Sequence, residues 1–176
     1  TGRPTAIGIV DGPDEDMEVM PVAFVASLNA EREEVKIITP YLRPNAVLMS
    51  ALRLCAVRRV KVTILTSDKN NIPFVGWAAQ TLYPELLRVG CRIFESPAPF
   101  DHSKIFLIDG VWSFLGSTNW DPRSLRLNFE FNLACHDAEL CRRLSAEMDA
   151  KMARSREITP GMLEAAPVGR RLRNGF

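Results

Sequence analysis

The sequence predicts a single α/β domain, with a mixed but mostly parallel sheet sandwiched between helices. Three observations carry that expectation. Short apolar and β-branched runs alternate with longer stretches of helical spacing through the first hundred residues, the pattern of a layered domain with crossover helices. Turn residues stand where those runs end, as in Asp11-Gly12-Pro13, Pro40 and Gly90. A length of 176 residues with 47% hydrophobic residues suits one compact core spanning 1–176, with no internal repeat or low-complexity tract.

In chain order, Thr5–Val10 reads as a buried strand meeting the Asp11-Gly12-Pro13 turn. Asp14, Glu15 and Asp16 follow, acidic where a helix N-terminus favours negative charge, and helix runs to about Ala30. Val35–Thr39 is a second strand, ended by Pro40. The stiff loop Thr39-Pro40-Tyr41-Leu42-Arg43-Pro44 then lies at a strand's C-terminal end, where ligands of open α/β sheets gather. Asn45 can cap a helix to about Arg58, and Val60–Thr66 alternates as a third strand. Ser67–Asn71 is loop, and Ile72–Val89 reads helical but interrupted near Pro84, with Gly90 as its C-terminal stop. Cys91–Phe94 is a fourth strand, and Pro97-Ala98-Pro99 a stiff connector. His102–Ile108 and Trp112–Leu115, joined through Asp109-Gly110, make a hairpin. Residues 124–133 alternate, with Ser124, Arg126, Asn128, Glu130 and Asn132 on one face and Leu125, Leu127, Phe129, Phe131 and Leu133 on the other. Ala138 to about Ser155 is an amphipathic helix, and 158–176 is expected to be a partly mobile tail.

A net charge of +1 gives no argument for a polyanion partner. The distribution is uneven: 4 basic against 8 acidic residues in 1–50, and 6 against 2 in 151–176. The basic end reads as solvated charge. Cys55, Cys91, Cys135 and Cys141 lack CxxC spacing and have no histidine at ligand distance, so reduced, mostly buried thiols are expected and no metal site. No apolar run approaches 18 residues and no signal peptide precedes the first strand. The chain starts at Thr1 rather than Met, which fits a segment cut from something longer.

The chemistry concentrates in His102-Ser103-Lys104-Ile105-Phe106-Leu107-Ile108-Asp109 and the Gly116-Ser117-Thr118-Asn119 turn that follows. On a regular strand His102 and Lys104 share a face about 7 Å apart, whereas Asp109 has the opposite parity and faces away. Ser117 and Asn119 again share a face, and a carboxylate at Glu130 can fix the tautomer of His102. Such a set suits phosphoryl transfer without metal or cofactor: Lys104 charges a phosphate oxygen, Ser117 and Asn119 donate, and His102 is nucleophile or general acid. A histidine and lysine merely flanking a strand end is the plainer reading of HxK alone. The Gly-Ser-Thr-Asn turn, with Glu130 in register, outweighs it.

HxKxxxxD followed by six residues and GSxN resembles the signature of the phospholipase D superfamily, complete and correctly spaced. The run Asn119-Trp-Asp-Pro-Arg-Ser-Leu-Arg-Leu-Asn-Phe-Glu-Phe-Asn-Leu133 is similar to bacterial cardiolipin synthases. So are Thr39-Pro40-Tyr41, Asp11-Gly12-Pro13 and Ala153-Arg-Ser-Arg-Glu-Ile-Thr159. The resemblance implies a phospholipase D-like fold, catalytic roles for His102, Lys104, Asn119 and Glu130, and substrate contacts from Ser117, Lys104, Asn119 and Tyr41. Asp109 and Gly116 belong to the motif but stand outside the chemistry. In that family two motifs complete one site: one histidine forms a phosphohistidine, the other protonates the leaving alcohol, and most members need no metal. This chain carries one motif, and its other histidine, His136, reads as exposed or capping.

The resemblance therefore implies a second motif-bearing half, in the same parent chain or in a homodimer, with the first arrangement favoured and His102 then the general acid. The implied activity is transfer of a phosphatidyl group from phosphatidylglycerol to make cardiolipin. It would act at a membrane surface, on the cytoplasmic side of the bacterial inner membrane, with nucleic acid not expected as a partner. A single-motif homodimeric phosphodiesterase, a phospholipase D or a nuclease, is the alternative, and a non-catalytic lobe the third reading. Trp77, Trp112 and Trp120 are expected in core or rim packing, with Trp120 the one placed to meet substrate.

Overall fold

The computed structural model describes residues 5–13, 19–30, 33–68 and 78–165. One eight-stranded sheet organises them, in the order β1-β7-β6-β5-β2-β3-β4-β8. Its strands are β1 (Thr5–Asp11), β2 (Glu34–Ile38), β3 (Lys61–Ser67), β4 (Arg92–Ser96), β5 (Ile105–Ile108), β6 (Trp112–Gly116), β7 (Glu130–His136) and β8 (Arg156–Ile158). Five helices accompany them: α1 (Val19–Ala30), α2 (Ala46–Val57), α3 (Tyr83–Arg88), α4 (Ala138–Ala153) and α5 (Pro160–Glu164). The mixed sheet between helices agrees with expectation, but its parallel share does not. Only β2/β3 and β3/β4 are parallel; β1/β7, β7/β6, β6/β5, β5/β2 and β4/β8 are antiparallel. The reason is that β5 follows β4 through a proline-rich connector with no crossover helix, so it can return antiparallel on the far side of β2.

The two faces of the sheet bury different elements. On one, Val35, Ile37, Ile64, Ile93, Phe106 and Phe114 pack with Met20, Phe24 and Leu28 of α1 and Leu48, Leu52 and Cys55 of α2. On the other, Ile38, Leu65, Phe94 and Leu107 receive Cys141 and Met148 of α4. Lys36 points to this second face and ties it to α4, donating to Ser145 Oγ at 2.8 Å and Asp149 Oδ1 at 2.7 Å. The four cysteines are free and buried. Asn45 caps α2 as expected, its side chain accepting from Leu48 N at 2.9 Å.

Some elements follow the sequence reading and others depart from it. The helical stretch is interrupted just before Pro84, as expected: residues 78–80 are helical and 81–82 form a turn, and Pro84 sits in the first turn of α3, where its missing amide has no intrahelical partner to lose. Residues 158–165 form the end of β8 and α5, elements the sequence reading did not distinguish, and Leu163 packs against the main core. The remainder of the expected tail, with Asp14, Glu15, Asp16, the stretch 69–77 and Trp77, lies outside the described residues. The expected strand over 124–133 is a turn through 121–128 and a strand only from Glu130. Of the two alternating faces, the one that carries Glu130 and Asn132 turns inward. Glu130 and Asn132 are buried, while Leu127, Phe129, Phe131 and Leu133 are exposed.

Candidate active site

The site lies at the edge where β5 begins and β6 ends. His102 and Lys104 do not sit on the strand, which starts at Ile105; they belong to the extended approach that follows Phe100 and Asp101. Their strand-face relationship is therefore replaced by a direct tie, Lys104 Nζ donating to the His102 carbonyl at 2.6 Å. The approach is anchored from below. The Asp101 carboxylate accepts from Ser103 N at 2.9 Å, Ser103 Oγ at 2.6 Å and Lys151 Nζ of α4 at 2.5 Å. Burial pushes the Asp101 carboxyl up, but these donors and the Lys151 charge more than offset it, leaving it below the ordinary carboxylate value.

His102 is exposed, with aromatic neighbours on its flanks. The Phe100 and Tyr41 rings lie 5.6 and 6.0 Å from its centroid, Tyr41 edge-on. Loss of water around the ring, then the Lys104 charge, holds His102 below the usual histidine value against the pull of Asp101 and Glu130. Burial likewise lowers Lys104, opposed by Glu130, Asp101 and Asp121. The Lys104 charge thus weakens protonation of His102. Glu130 is 6% exposed and accepts from Asn128 Nδ2 at 3.0 Å. Its carboxylate acts on His102 and Lys104 through charge, without a hydrogen bond to the imidazole.

The Gly116–Asn119 segment is held against β7. A Cβ on Gly116 would collide with Asn132 Oδ1 and the Phe131 carbonyl oxygen, so the close approach of β6 to β7 requires glycine here. Ser117 faces β7: its hydroxyl accepts from Phe131 N at 3.0 Å and donates to Phe131 O at 3.4 Å. Asn119 is buried, its Nδ2 donating to Ser124 Oγ at 3.0 Å and its Oδ1 left without a partner. Because the Ser124 hydroxyl can donate as well as accept, turning the amide over satisfies Oδ1 and frees the NH2 group. Trp120, next in sequence, is core: it stacks on Phe24 at 5.1 Å and meets Phe106 edge-on. Trp112 is partly exposed against His136, 5.0 Å away.

One buried hydroxyl joins this segment to the Tyr41 loop. Thr39 Oγ1 donates to Tyr41 O at 3.1 Å and accepts from Trp120 N at 3.2 Å, while Arg43 N donates to Trp120 O at 2.6 Å. Beside it opens a cavity of about 640 Å³, walled by Tyr41, Arg43, Asn119, Arg123, Arg126 and Leu127. Asp109 is absent from this cluster. It stands at the far end of β5, where its Oδ1 accepts from Glu33 N and Glu34 N, both at 2.9 Å, and fastens the start of β2.

Sequence reasoning did not single out Phe100, Asp101, Ser124 or Asn128, whose roles are to flank and hold the candidates. Nor did it single out Asp11 as a side chain, although Asp11 pairs with Glu130 across β1 and β7. Burial raises the Asp11 carboxyl against the Met20 and Gly12 amides, and the Glu130 charge raises it further. Among the described residues no cluster of three or more His, Cys, Asp or Glu could hold a metal ion. Among them, too, no helix is long and apolar enough to cross a membrane.

The open mixed sheet between helices is shared with solved structures of the phospholipase D group. A crystal structure of a phospholipase D family member, Nuc from Salmonella typhimurium, superposes with a TM-score of 0.74 at 16% identity, over 89% of this chain and 99% of that one. The chain belongs to the family described as cardiolipin synthase, phospholipase D-like domain, whose profile matches residues 24–152. The cardiolipin synthase of Oceanobacillus iheyensis is 32% identical over 168 residues, 96% of this chain and 35% of the relative. Cardiolipin synthase A of Pectobacterium carotovorum is 34% identical over 164 residues, 93% of this chain and 34% of the relative. The chain thus spans about a third of the length of these relatives.

Proposed function

We propose that this domain is one lobe of a two-motif phosphatidyltransferase that makes cardiolipin from phosphatidylglycerol, with the second motif supplied by another half. The carrying observation is the exposed, unbonded His102 imidazole beside Lys104 in a chain of this family. In the first step the other half's histidine nitrogen attacks phosphorus and the P–O bond to the leaving glycerol breaks. His102, as imidazolium, gives that oxygen its proton. In the second, the hydroxyl of another phosphatidylglycerol loses its proton to His102, its oxygen joins phosphorus and the P–N bond breaks. Lys104 neutralises a non-bridging oxygen, and Asn119 donates once its amide turns over. Ser117 keeps the Phe131 amide and can swing its proton, held on the long 3.4 Å contact, to phosphate. Glu130 steadies the imidazolium by charge, and Tyr41 borders the headgroup. Asp109 and Gly116 serve the backbone.

The need for a second half is supported by an uncovered apolar face. Phe129, Leu127, Val10 and Phe131 are 71, 67, 60 and 52% exposed, at and beside the β1/β7 end of the sheet. Isolated apolar side chains are ordinary on a surface, but a contiguous group beside a half-built site suits a partner lobe. A homodimer of this chain is the second reading, favoured by the match to nearly the whole of the Salmonella chain. Membrane-surface action, on the cytoplasmic side of a bacterial inner membrane, belongs to the parent protein.

The test is His102→Ala in the parent chain carrying both motifs. Cardiolipin formation should fall by about 10²–10⁴-fold with the circular dichroism unchanged; near-normal turnover would end the catalytic reading. Turnover should also persist in EDTA, and strong inhibition by the chelator would overturn metal-independent chemistry.

A further inference from the structure

The cavity beside Asn119 carries three guanidinium groups that the proposed chemistry does not use. Arg43, Arg123 and Arg126 all line it and are exposed, and none makes a side-chain hydrogen bond or ion pair within the described residues. Their convergence is built rather than incidental. The Asp121 carboxylate accepts from Arg123 N at 2.9 Å and Ser124 N at 3.2 Å, starting a turn. The Arg123 carbonyl then accepts from Arg126, Leu127 and Asn128 amides, which brings Arg123 and Arg126 round to one side. Arg43 comes from the other wall, fixed by its amide bond to the Trp120 carbonyl. Asp121 is the one acidic residue among the lining side chains, and its Oδ1 is already engaged by the two amides. Leu127 and Pro122 add apolar wall, and Tyr41 and Asn119 connect the cavity to the surroundings of His102.

Planar guanidinium groups bind a phosphodiester through paired, charge-assisted hydrogen bonds. The reacting phosphate is already provided for by His102, Lys104 and Asn119. In a transfer that joins two phosphatidylglycerols, the acceptor brings a phosphodiester of its own, one glycerol away from the attacking hydroxyl. We infer that Arg43, Arg123 and Arg126 form the subsite for that second phosphodiester, so that this lobe selects an anionic phospholipid as acceptor over water or a neutral alcohol. The inference rests on the phosphatidyltransferase reading and adds to it the identity of the acceptor site. Mixed basic and apolar walls fit a phospholipid headgroup with the start of its acyl chains.

The experiment measures how one phosphoenzyme is partitioned. The parent chain with both motifs is given phosphatidylglycerol vesicles and 1,3-propanediol, and the ratio of cardiolipin to phosphatidylpropanediol is followed for wild type, Arg123→Gln, Arg126→Gln and Arg43→Gln. Each removed guanidinium should lower the ratio about tenfold, the size of one charge-assisted bond. Arg142→Gln, which removes an exposed charge paired with Glu139 on α4, controls for general loss of charge and should leave the ratio unaltered. An unchanged ratio in the three cavity variants would overturn the subsite, as would an equal fall in both products. Cleavage of single-stranded DNA that weakens with the same substitutions would replace the phospholipid occupant with a nucleic-acid backbone. Failure of the underlying reading looks different: the wild-type parent would form no cardiolipin at all.

Discussion

Thr39→Val removes one oxygen from the fully buried strut between the Tyr41 loop and the Asn119 segment while keeping the side chain's shape. Two bonds are lost: Tyr41 O loses its donor at 3.1 Å and Trp120 N its acceptor at 3.2 Å. Tyr41 is half-buried, so its carbonyl can turn to water and the loss there is that of an ordinary bond, about 0.5–1.5 kcal/mol. Trp120 is 2% exposed and packed against Phe24 and Phe106, so its amide is stranded, at about 1–3 kcal/mol. The expected loss is about 2–4 kcal/mol, or on the order of 5–15 °C in Tm for a chain of this size. Urea denaturation of the 176-residue chain measures it directly. Thr39→Ser keeps the hydroxyl and loses one methyl, at about 1 kcal/mol. A Thr39→Val protein within about 0.5 kcal/mol of wild type, or a serine variant worse than the valine one, would refute the strut. In the parent enzyme Thr39→Val should also slow turnover, since Asn119 precedes the stranded amide.

Two further outcomes follow from the site. The His102 imidazole should titrate by NMR below its ordinary value of 6.5; Lys104→Met should raise the midpoint and Glu130→Gln lower it, and a wild-type midpoint at or above 6.5 would contradict the site electrostatics. The sign for stability is that the unfolded chain takes up this proton first. Folding therefore weakens as pH falls from 6.5 toward the lower folded value, and recovers as pH rises. Gly116→Ala should cost about 1–3 kcal/mol, because the Phe131 carbonyl it strikes is fixed by the Ser117 amide at 3.0 Å. Full stability of that variant by denaturation would show that β6 can shift away from β7.

Most strand and helix positions are legible because composition and punctuation agree: Asn45 caps α2, Gly90 ends the turn after α3 with φ at 91°, and the β-branched run of β3 forms a strand, buried on both faces rather than alternating. What fails is orientation. The alternation before Leu133 shows two faces without saying which turns inward, and the rule that apolar goes in misplaces Phe129 and Phe131, which stay exposed at the β1/β7 end of the sheet, away from the part of the α4 face that the helix packs. Glu130 and Asn132 go inward because Asn128 and Thr118 satisfy them there. The histidine and lysine are readable from spacing, but the strand geometry assigned to them is not. The proline-rich connector ends in an approach whose conformation is set by Asp101 and Lys151, 50 positions apart in the chain. The strut at Thr39 links residues 81 apart and leaves no local signal.

The two margins of the sheet differ. β8 closes one with three residues, its Arg156 held by Glu95 and Asp68 and its Glu157 by Arg92, leaving a short charged rim that resists further strand addition. β1 closes the other with seven residues and no strand beyond it among the described residues. A molecule with one receptive margin and one blunted margin cannot extend from both sides. Strand pairing through β1 would therefore end at a closed pair, with no second open margin from which a filament could grow.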